Sequence, residues 1–336
     1  MLNICICGGG SLGHVCAGVL GANANVRLRI HSRRPEAWNK TIHVTDPNDK
    51  VYLGKLDCVT SSYEEALEGC QLLLLCLPGP SIAETLKALR PYLPTDCAVG
   101  SIVGSTGFFF HAHELLAPTT PLYTYQRVPF IARTSHYGEE AKLLGYKSEV
   151  HLAVENMEDV ESFRQMMEEL FLTPTTLLHN FYEASLTNSN PILHTGRLYT
   201  MWKDWNGTAY TQRSYFYKEW TDEASECILA MDQEFFHVLE HLPIEGHSIP
   251  TLLEYYESTD ASSLTRKISS IKAFEPIQSP MVETAEGWIP DFTSRYFTED
   301  FPCGLTFIKQ LAVKHQVKTP LIDQVLEWGL SKVEHS

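Results

Sequence analysis

The 336-residue chain reads as two domains of different class, a doubly wound α/β sheet followed by an all-α domain. Three observations predict this. Over the first half, short apolar runs stopped by glycine or proline alternate with helical stretches, the pattern of a parallel sheet covered on both faces. A glycine-rich turn follows the first of these runs at once. From about residue 180 the texture changes to long helical periodicity. The break at 173–181 sets the expected domains at 1–178 and 179–336.

Residues 2–7 (LNICIC) form the first strand, and the small apolar stretch 13–22 (GHVCAGVLGA) suits a helix lying close on a sheet. Val26–Ser32 alternates as a second strand before the basic turn SRRP. The run LLLLCLPGP (72–80) is a buried strand stopped by prolines. Ser81–Leu89 then reads as a helix and CAVGSIVG (97–104) as another strand. In the second half, Asp222–Leu242 carries Ile228, Met231, Phe235, Val238 and Leu242 on one stripe, as a core helix does. Pro320 suits the first turn of a last helix, with Ile322, Val325, Leu326 and Leu330 on its apolar face.

Composition bounds the function. With 44% hydrophobic and 20% charged residues the chain has the makings of a globular core. A net charge of −15 argues against nucleic acid or an anionic membrane surface as partner. Nine cysteines, without paired metal-ligand spacing, predict neither a disulfide scaffold nor a metal site. Cys5 and Cys7 sit on the buried first strand as small hydrophobes. The start MLNICICGGG lacks the basic flank of a signal peptide. No apolar run reaches the roughly 18 residues that span a bilayer. A cytoplasmic protein is expected.

Gly8, Gly10 and Gly13 give G-x-G-x-x-G between the first strand and the first helix, with Ser11 and Leu12 in the same loop. The first glycine permits the tight turn and the second lets the backbone approach a pyrophosphate. The third brings helix and strand together, and the helix N-terminus offers unpaired N–H groups to the phosphates. A dinucleotide site in a Rossmann-type domain is expected. The second strand ends in Ser32, Arg33 and Arg34, with no acid before Glu36. Two guanidiniums attract a 2′-phosphate that a carboxylate would repel, which favours NADP(H) while leaving NAD(H) possible. The bland alternative is two solvated arginines on a loop. Leu77 and Pro78, ending the 72–80 run, are expected over the cofactor near its nicotinamide half, unless Pro78 only terminates the strand.

A nicotinamide enzyme also needs a proton donor or acceptor. Among 14 histidines, His194 in NSNPILHTGR stands out, with Asn190 four residues before it and apolar Ile192 and Leu193 beside it. Either a helix runs through Pro191 with a kink and stacks Asn190 on His194, or Asn190 caps a helix that begins here. A lone histidine needs an orienting carboxylate, which fixes its tautomer. In 291–305 (DFTSRYFTEDFPCGL) Asp300 precedes an aromatic, a proline and a glycine, residues that fix a loop. Glu299 is its rival, better suited to solvent or an arginine. Asn190 is a candidate to touch a substrate, unless it only holds the helix, and carboxylate-bearing small molecules need cationic clamps, for which Arg133 and Arg197 are candidates. Either can instead serve in a surface ion pair.

The stretches GGGSLGH, YTYQRVPFIAR, NSNPILH, FYKEWTDEASECILAMDQEF, RYFTEDFPCGL and VKTPLIDQVLEW occur in the order found in octopine/nopaline (opine) dehydrogenases, a family this chain resembles over nearly its whole length. The resemblance implies a Rossmann domain, a helical domain and an active site in the cleft between them. It also implies joining of an amino acid's amino group to a 2-oxo acid, with reduction of the imine by NAD(P)H. His194 matches the family's catalytic histidine, Asp300 its aspartate partner, and His14 the histidine that follows the glycine loop. Ser11 and Leu12 stand where that loop often has Asn and Gly. Two rival readings remain: a 2-oxo acid reductase resembling ketopantoate reductase, and a non-catalytic NADPH sensor. The reductases usually carry a lysine on the His194 helix, and residues 182–202 contain none. The apolar helices of the second half can bury a homodimer interface or make that domain's own core.

Overall fold

The computed structural model describes residues 1–244 and 248–333. It divides into two compact units, Met1–Leu186 and Thr187–Ser336. The strands of the first unit are β1 (Leu2–Cys7), β2 (Val26–His31), β3 (Thr41–Thr45), β4 (Val51–Lys55), β5 (Cys58–Thr60) and β6 (Leu72–Leu75). They continue as β7 (Ala98–Ser101), β8 (Leu122–Tyr125), β9 (Phe130–His136), β10 (Glu140–Tyr146), β11 (Val150–Glu155) and β12 (Thr175–Leu177). Its helices are α1 (Ser11–Gly21), α2 (Tyr63–Leu67), α3 (Ile82–Leu89), α4 (Phe108–Leu115), α5 (Val160–Phe171) and α6 (Phe181–Leu186).

Eight strands form the main sheet in the order β12-β11-β8-β7-β6-β1-β2-β5. It is parallel from β8 to β5, and β11 joins it antiparallel to β8. Successive side chains of a strand point to opposite faces, and both faces here are covered. Ile4, Ile6, Leu72 and Leu74 pack with Val15 and Cys16 of α1 on one side. Cys5, Cys7, Leu73 and Leu75 pack with Leu86 of α3 and Phe108 and Phe109 of α4 on the other. The doubly wound fold is therefore as expected, and so is the continuous apolar run of β6.

A second sheet, β4-β3-β10-β9, was not anticipated. It joins two antiparallel pairs of consecutive strands, β3–β4 and β9–β10, from distant stretches, and the pairing of β3 with β10 that unites them is parallel and nonlocal, so no local pattern announces the sheet. It lies against α1, which is thereby buried on both sides from Gly13 to Gly21. The small residues of α1 follow from this: a Cβ on Gly18 would strike the side chain of Val44 in β3.

The second unit contains α7 (Asn190–Trp202), α8 (Asp222–Leu239), α9 (Leu252–Tyr255), α10 (Ala261–Ser270), α11 (Arg295–Thr298), α12 (Thr306–Lys314) and α13 (Pro320–Val333). Thr221 caps α8 by accepting from the Ala224 N–H, and the expected stripe is buried, although Leu242 lies past the helix end. Gly196 lets α7 approach Ile228 and Met231 of α8 closely. The unit is helical as expected but not all-α. A hairpin of β13 (Met281–Thr284) and β14 (Gly287–Pro290) interrupts it, its turn closed by Gly287 at φ +129°, a value an L-residue rarely adopts.

Asp232 of α8 is buried, and its carboxylate accepts the Leu252 N–H at 3.0 Å. Burial pushes its pKa up to about 6, against the lowering effect of that N–H. A carboxyl raised above its unfolded value makes the native state hold its proton more tightly. Stability then falls as pH rises from about 4 to about 6. Asp232→Asn keeps an acceptor for Leu252 without the charge. It should raise stability at pH 7 by ~2 kcal/mol, a gain that vanishes near pH 4 in urea unfolding curves at the two pH values.

Candidate active site

In the first unit the glycine loop leaves β1 at its buried end and opens α1. Gly8 adopts φ +122°, and a Cβ there or on Gly13 would collide with the backbone of Cys76 or Gly8 respectively. Gly10 differs: a Cβ there meets nothing within 4 Å. Gly10 is also the N-cap of α1 and provides no side-chain cap, so no side chain of the cap residue covers the helix start. That is the arrangement an anion needs, and the loop fits the pyrophosphate of a dinucleotide. Leu12 is half-buried beside it. Ser11 Oγ accepts from both the N–H and the hydroxyl of Thr134 in β9, at 3.1 and 3.2 Å. Its own O–H is left to donate.

His14 holds this loop in place. Its Nδ1 lies 2.9 Å from the Gly10 carbonyl, and the Gly138 N–H donates to Nε2 at 2.7 Å. That pair of contacts requires the neutral Nδ1–H tautomer. Burial lowers its pKa, opposed by the Gly10 contact, and the ring stacks on Trp38 at 4.3 Å. Both nitrogens are engaged, so His14 braces the loop.

At the end of β2 the structure places Arg33 and Arg34 on the surface, with the Arg34 guanidinium 4.3 Å from the centre of the Tyr137 ring. The expectation for Ser32 is revised. It is buried, and its Oγ accepts from Trp38 Nε1 at 3.1 Å and the Arg34 N–H at 3.2 Å. Ser32 thus shapes the arginine turn from inside. Leu77 is half-buried and Pro78 exposed where β6 ends. Arg133 also departs from its expected role: Thr134 faces Ser11 of α1, so its neighbour on β9 projects from the opposite face of that sheet, exposed to solvent.

In the second unit α7 begins at Asn190 with Ser189 as N-cap and Pro191 in its first turn. The helix therefore starts here, and neither kinks at Pro191 nor takes Asn190 as its cap. Asn190 is half-buried on that first turn. One turn further on, His194 is brought against Asp300. Gly304 makes this possible, because a Cβ there would press on Pro191 at 2.6 Å. The π-helical turn Phe301–Leu305 can then lie on α7, with Phe301 fully buried and stacked on Phe297 at 5.5 Å.

Asp300 Oδ2 accepts from His194 Nδ1 at 2.8 Å, and the two side chains are 18% and 10% exposed. Glu299 pairs instead with Arg295 at 2.8 Å. The other imidazole nitrogen, Nε2, lies 2.8 Å from the hydroxyl of Tyr217, a residue that sits in the stretch FYKEWTDEASECILAMDQEF but was given no role there. Phe216 and Tyr296 complete the ring's surroundings, at 5.6 and 4.7 Å.

Arg197, on the next turn of α7, is corrected as a substrate clamp. It is buried, with Nε and Nη2 donating to the carbonyls of Phe216 and Glu219 at 3.3 and 2.6 Å, and it lies over Trp220. Burial pulls its pKa down to about 10, which still leaves it a cation at neutral pH. Its bonds hold the 216–220 segment, and so hold Tyr217 beside His194. Among the described residues no cluster of potential metal ligands occurs, and no helix is long and apolar enough to cross a membrane.

Residues 177–332 match the family model of the NAD/NADP octopine/nopaline dehydrogenase alpha-helical domain, and residues 4–106 match that of ketopantoate reductase PanE/ApbA. The chain is 23% identical to the opine dehydrogenase of Haliotis discus hannai, over 97% of this chain and 89% of that protein. Octopine dehydrogenase in complex with NADH and L-arginine shares the fold with a TM-score of 0.86 at 21% identity, covering 99% of this chain and 90% of that one. NADP+-bound yersinopine dehydrogenase does so at 0.73 and 14%, covering 100% and 91%.

The two kinds of glycine should separate experimentally. Gly13→Ala should lower Tm by several degrees, since ~2 kcal/mol of strain enters a packed backbone crossing. Gly10→Ala should leave Tm unchanged while weakening cofactor binding about tenfold or more. Thermal melts alongside cofactor titration read both.

Proposed function

We propose that this chain, which belongs to the octopine/nopaline dehydrogenase family, joins the amino group of an amino acid to a 2-oxo acid by NADPH-dependent reduction. Its relatives support a dehydrogenase with a nicotinamide cofactor. The observation that carries the reductive condensation is the His194–Asp300 pair. Condensation of an amine with a carbonyl requires a group that takes a proton from the attacking amine and returns one to the departing hydroxyl. His194 has one nitrogen committed to Asp300, and the other, the proton-accepting one, lies against the Tyr217 hydroxyl. Asp300 compensates the imidazolium that forms. When bound, the nicotinamide supplies the hydride that reduces the imine carbon. Water must be kept from that imine, and a histidine walled by Phe216, Tyr217 and Tyr296 favours a dry site.

NADPH is preferred on this reading because Arg33 and Arg34 are exposed at the end of β2 and no carboxylate stands beside them before Glu36. The two neighbours of like fold carry different cofactors, NADH in one and NADP+ in the other. The choice therefore rests on this turn. Replacing both arginines by alanine should raise the Kd for NADPH about 10–100-fold, through loss of charge-assisted hydrogen bonds, and leave that for NADH nearly unchanged. Fluorescence titration with the two cofactors measures this.

The rival reductase reading draws support from the match of residues 4–106, which lies outside the His194 unit. Oxidation of NADPH with a 2-oxo acid, with and without a panel of amino acids, separates the two. Amine-dependent oxidation supports the reductive condensation, amine-independent oxidation the reductase, and none across a broad panel a sensor. His194→Ala should lower turnover about 10²–10⁴-fold with NADPH affinity retained; near-normal turnover would remove the dyad from the mechanism.

A further inference from the structure

The proton inventory of the His194 cluster assigns a place to Tyr217. Asp300 is an acceptor, so Nδ1 of His194 carries the hydrogen between them. Nε2 of the neutral ring is then a lone pair, and the hydroxyl 2.8 Å away donates into it. The one nitrogen of His194 able to take a proton is thus already covered by a phenol.

Tyr217 is held there firmly. Its ring stacks on Phe274 at 4.4 Å and runs parallel to Trp220 at 6.0 Å. It is 6% exposed, and Arg197 grips the carbonyls on either side of it, at Phe216 and Glu219. Moving the phenol aside to uncover Nε2 would break these stacks and strip a buried guanidinium of its acceptors. Leaving it in place costs nothing if it conducts the proton itself.

We propose that Tyr217 is a catalytic residue that passes protons between the substrate and His194, an inference that rests on the reductive condensation proposed above. As the amine nitrogen bonds to the carbonyl carbon, its N–H proton moves to Tyr217 Oη while the hydroxyl's own proton moves to His194 Nε2. Asp300 faces the resulting imidazolium. The reverse shift carries the Nε2 proton through Tyr217 to the former carbonyl oxygen and completes the neutral carbinolamine; a second pass then takes the remaining N–H proton through the relay to that hydroxyl, which leaves as water as the C=N bond forms. Within each shift the two transfers are concerted, so no tyrosinate forms. Burial and the neighbouring Tyr296 and Tyr256 phenols push the Tyr217 pKa well up, which penalises a stepwise route through the anion.

Tyr217→Phe keeps the ring and its stacks and removes only the oxygen. In amine-dependent NADPH oxidation, kcat should fall about 10²-fold, with KM for both substrates changed by no more than about twofold. In H2O/D2O mixtures the wild-type rate should depend on deuterium content along a curve, two protons being in flight, and the variant's along a straight line. A retained kcat or a retained curve overturns the relay. So does a loss of kcat in which the pure wild-type response is already linear. If the wild type instead reduces the 2-oxo acid without amine, the condensation reading fails and the same comparison on that reduction decides the relay. If the panel is silent, the ¹⁵N resonance of His194 Nε2 decides: a shift on Tyr217→Phe retains the relay and an unmoved signal overturns it. Should the substitution loosen the stack, 3-fluorotyrosine at position 217 preserves it and lowers the phenol's pKa. At a fixed pH kcat should then change severalfold with KM unchanged, and an unchanged kcat overturns the proposal.

Discussion

One hydrogen bond orders the chemistry of the second unit. Because Asp300 takes the hydrogen on Nδ1 of His194, the opposite nitrogen is the proton-accepting one and the imidazole cannot invert its roles. Everything around the pair serves that contact. Pro191 starts the helix that carries His194, Gly304 is small enough to lie on Pro191, and buried Phe301 anchors the turn that follows Asp300. The carboxylate is neither a free surface charge nor a fully buried one. It keeps some access to water, which limits the desolvation cost of an ion next to a cation-forming ring.

The first unit meets a different constraint, a helix buried on all sides. An α-helix between two sheets has no solvent face, so α1 has to be small and apolar, and its polar exceptions have to be satisfied internally. His14 is the largest of them. It is neutral, donates to the glycine loop and accepts from the β9–β10 turn at Gly138. Ser11 is tied to β9 in the same way. The glycine loop is therefore braced from behind by the second sheet, and within it only Gly10 is left with open space before it. Preorganised N–H groups at a rigid helix start bind an anion without a reorganisation cost.

The arginines illustrate how burial assigns function to identical side chains. The net charge of −15 makes any exposed cation pair conspicuous to an anionic cofactor, and Arg33 and Arg34 are such a pair. Arg197 has the same guanidinium but spends it on backbone carbonyls, where it positions the aromatic segment beside His194. Arg133 projects from the outer face of the second sheet. Sequence spacing treated the last two as interchangeable clamp candidates; exposure and hydrogen-bond partners separate them.

By itself the sequence determined the doubly wound sheet, the glycine loop, the stripe of α8 and the pairing of His194 with Asp300 rather than Glu299. The first three are local patterns, in which periodicity and glycine placement act within a few residues of the structure they specify. The histidine–aspartate pair, remote in sequence, was legible because proline, glycine and aromatic residues mark both of its anchoring turns, and because the family's motifs recur around them. Only the tertiary structure decided the second sheet, the internal use of Ser32 and Arg197, and the seat of Tyr217 on Nε2 of His194. Each of these depends on contacts between distant segments. The hydrogen-bond partner of a polar side chain is a property of the packed neighbourhood, which no local pattern encodes.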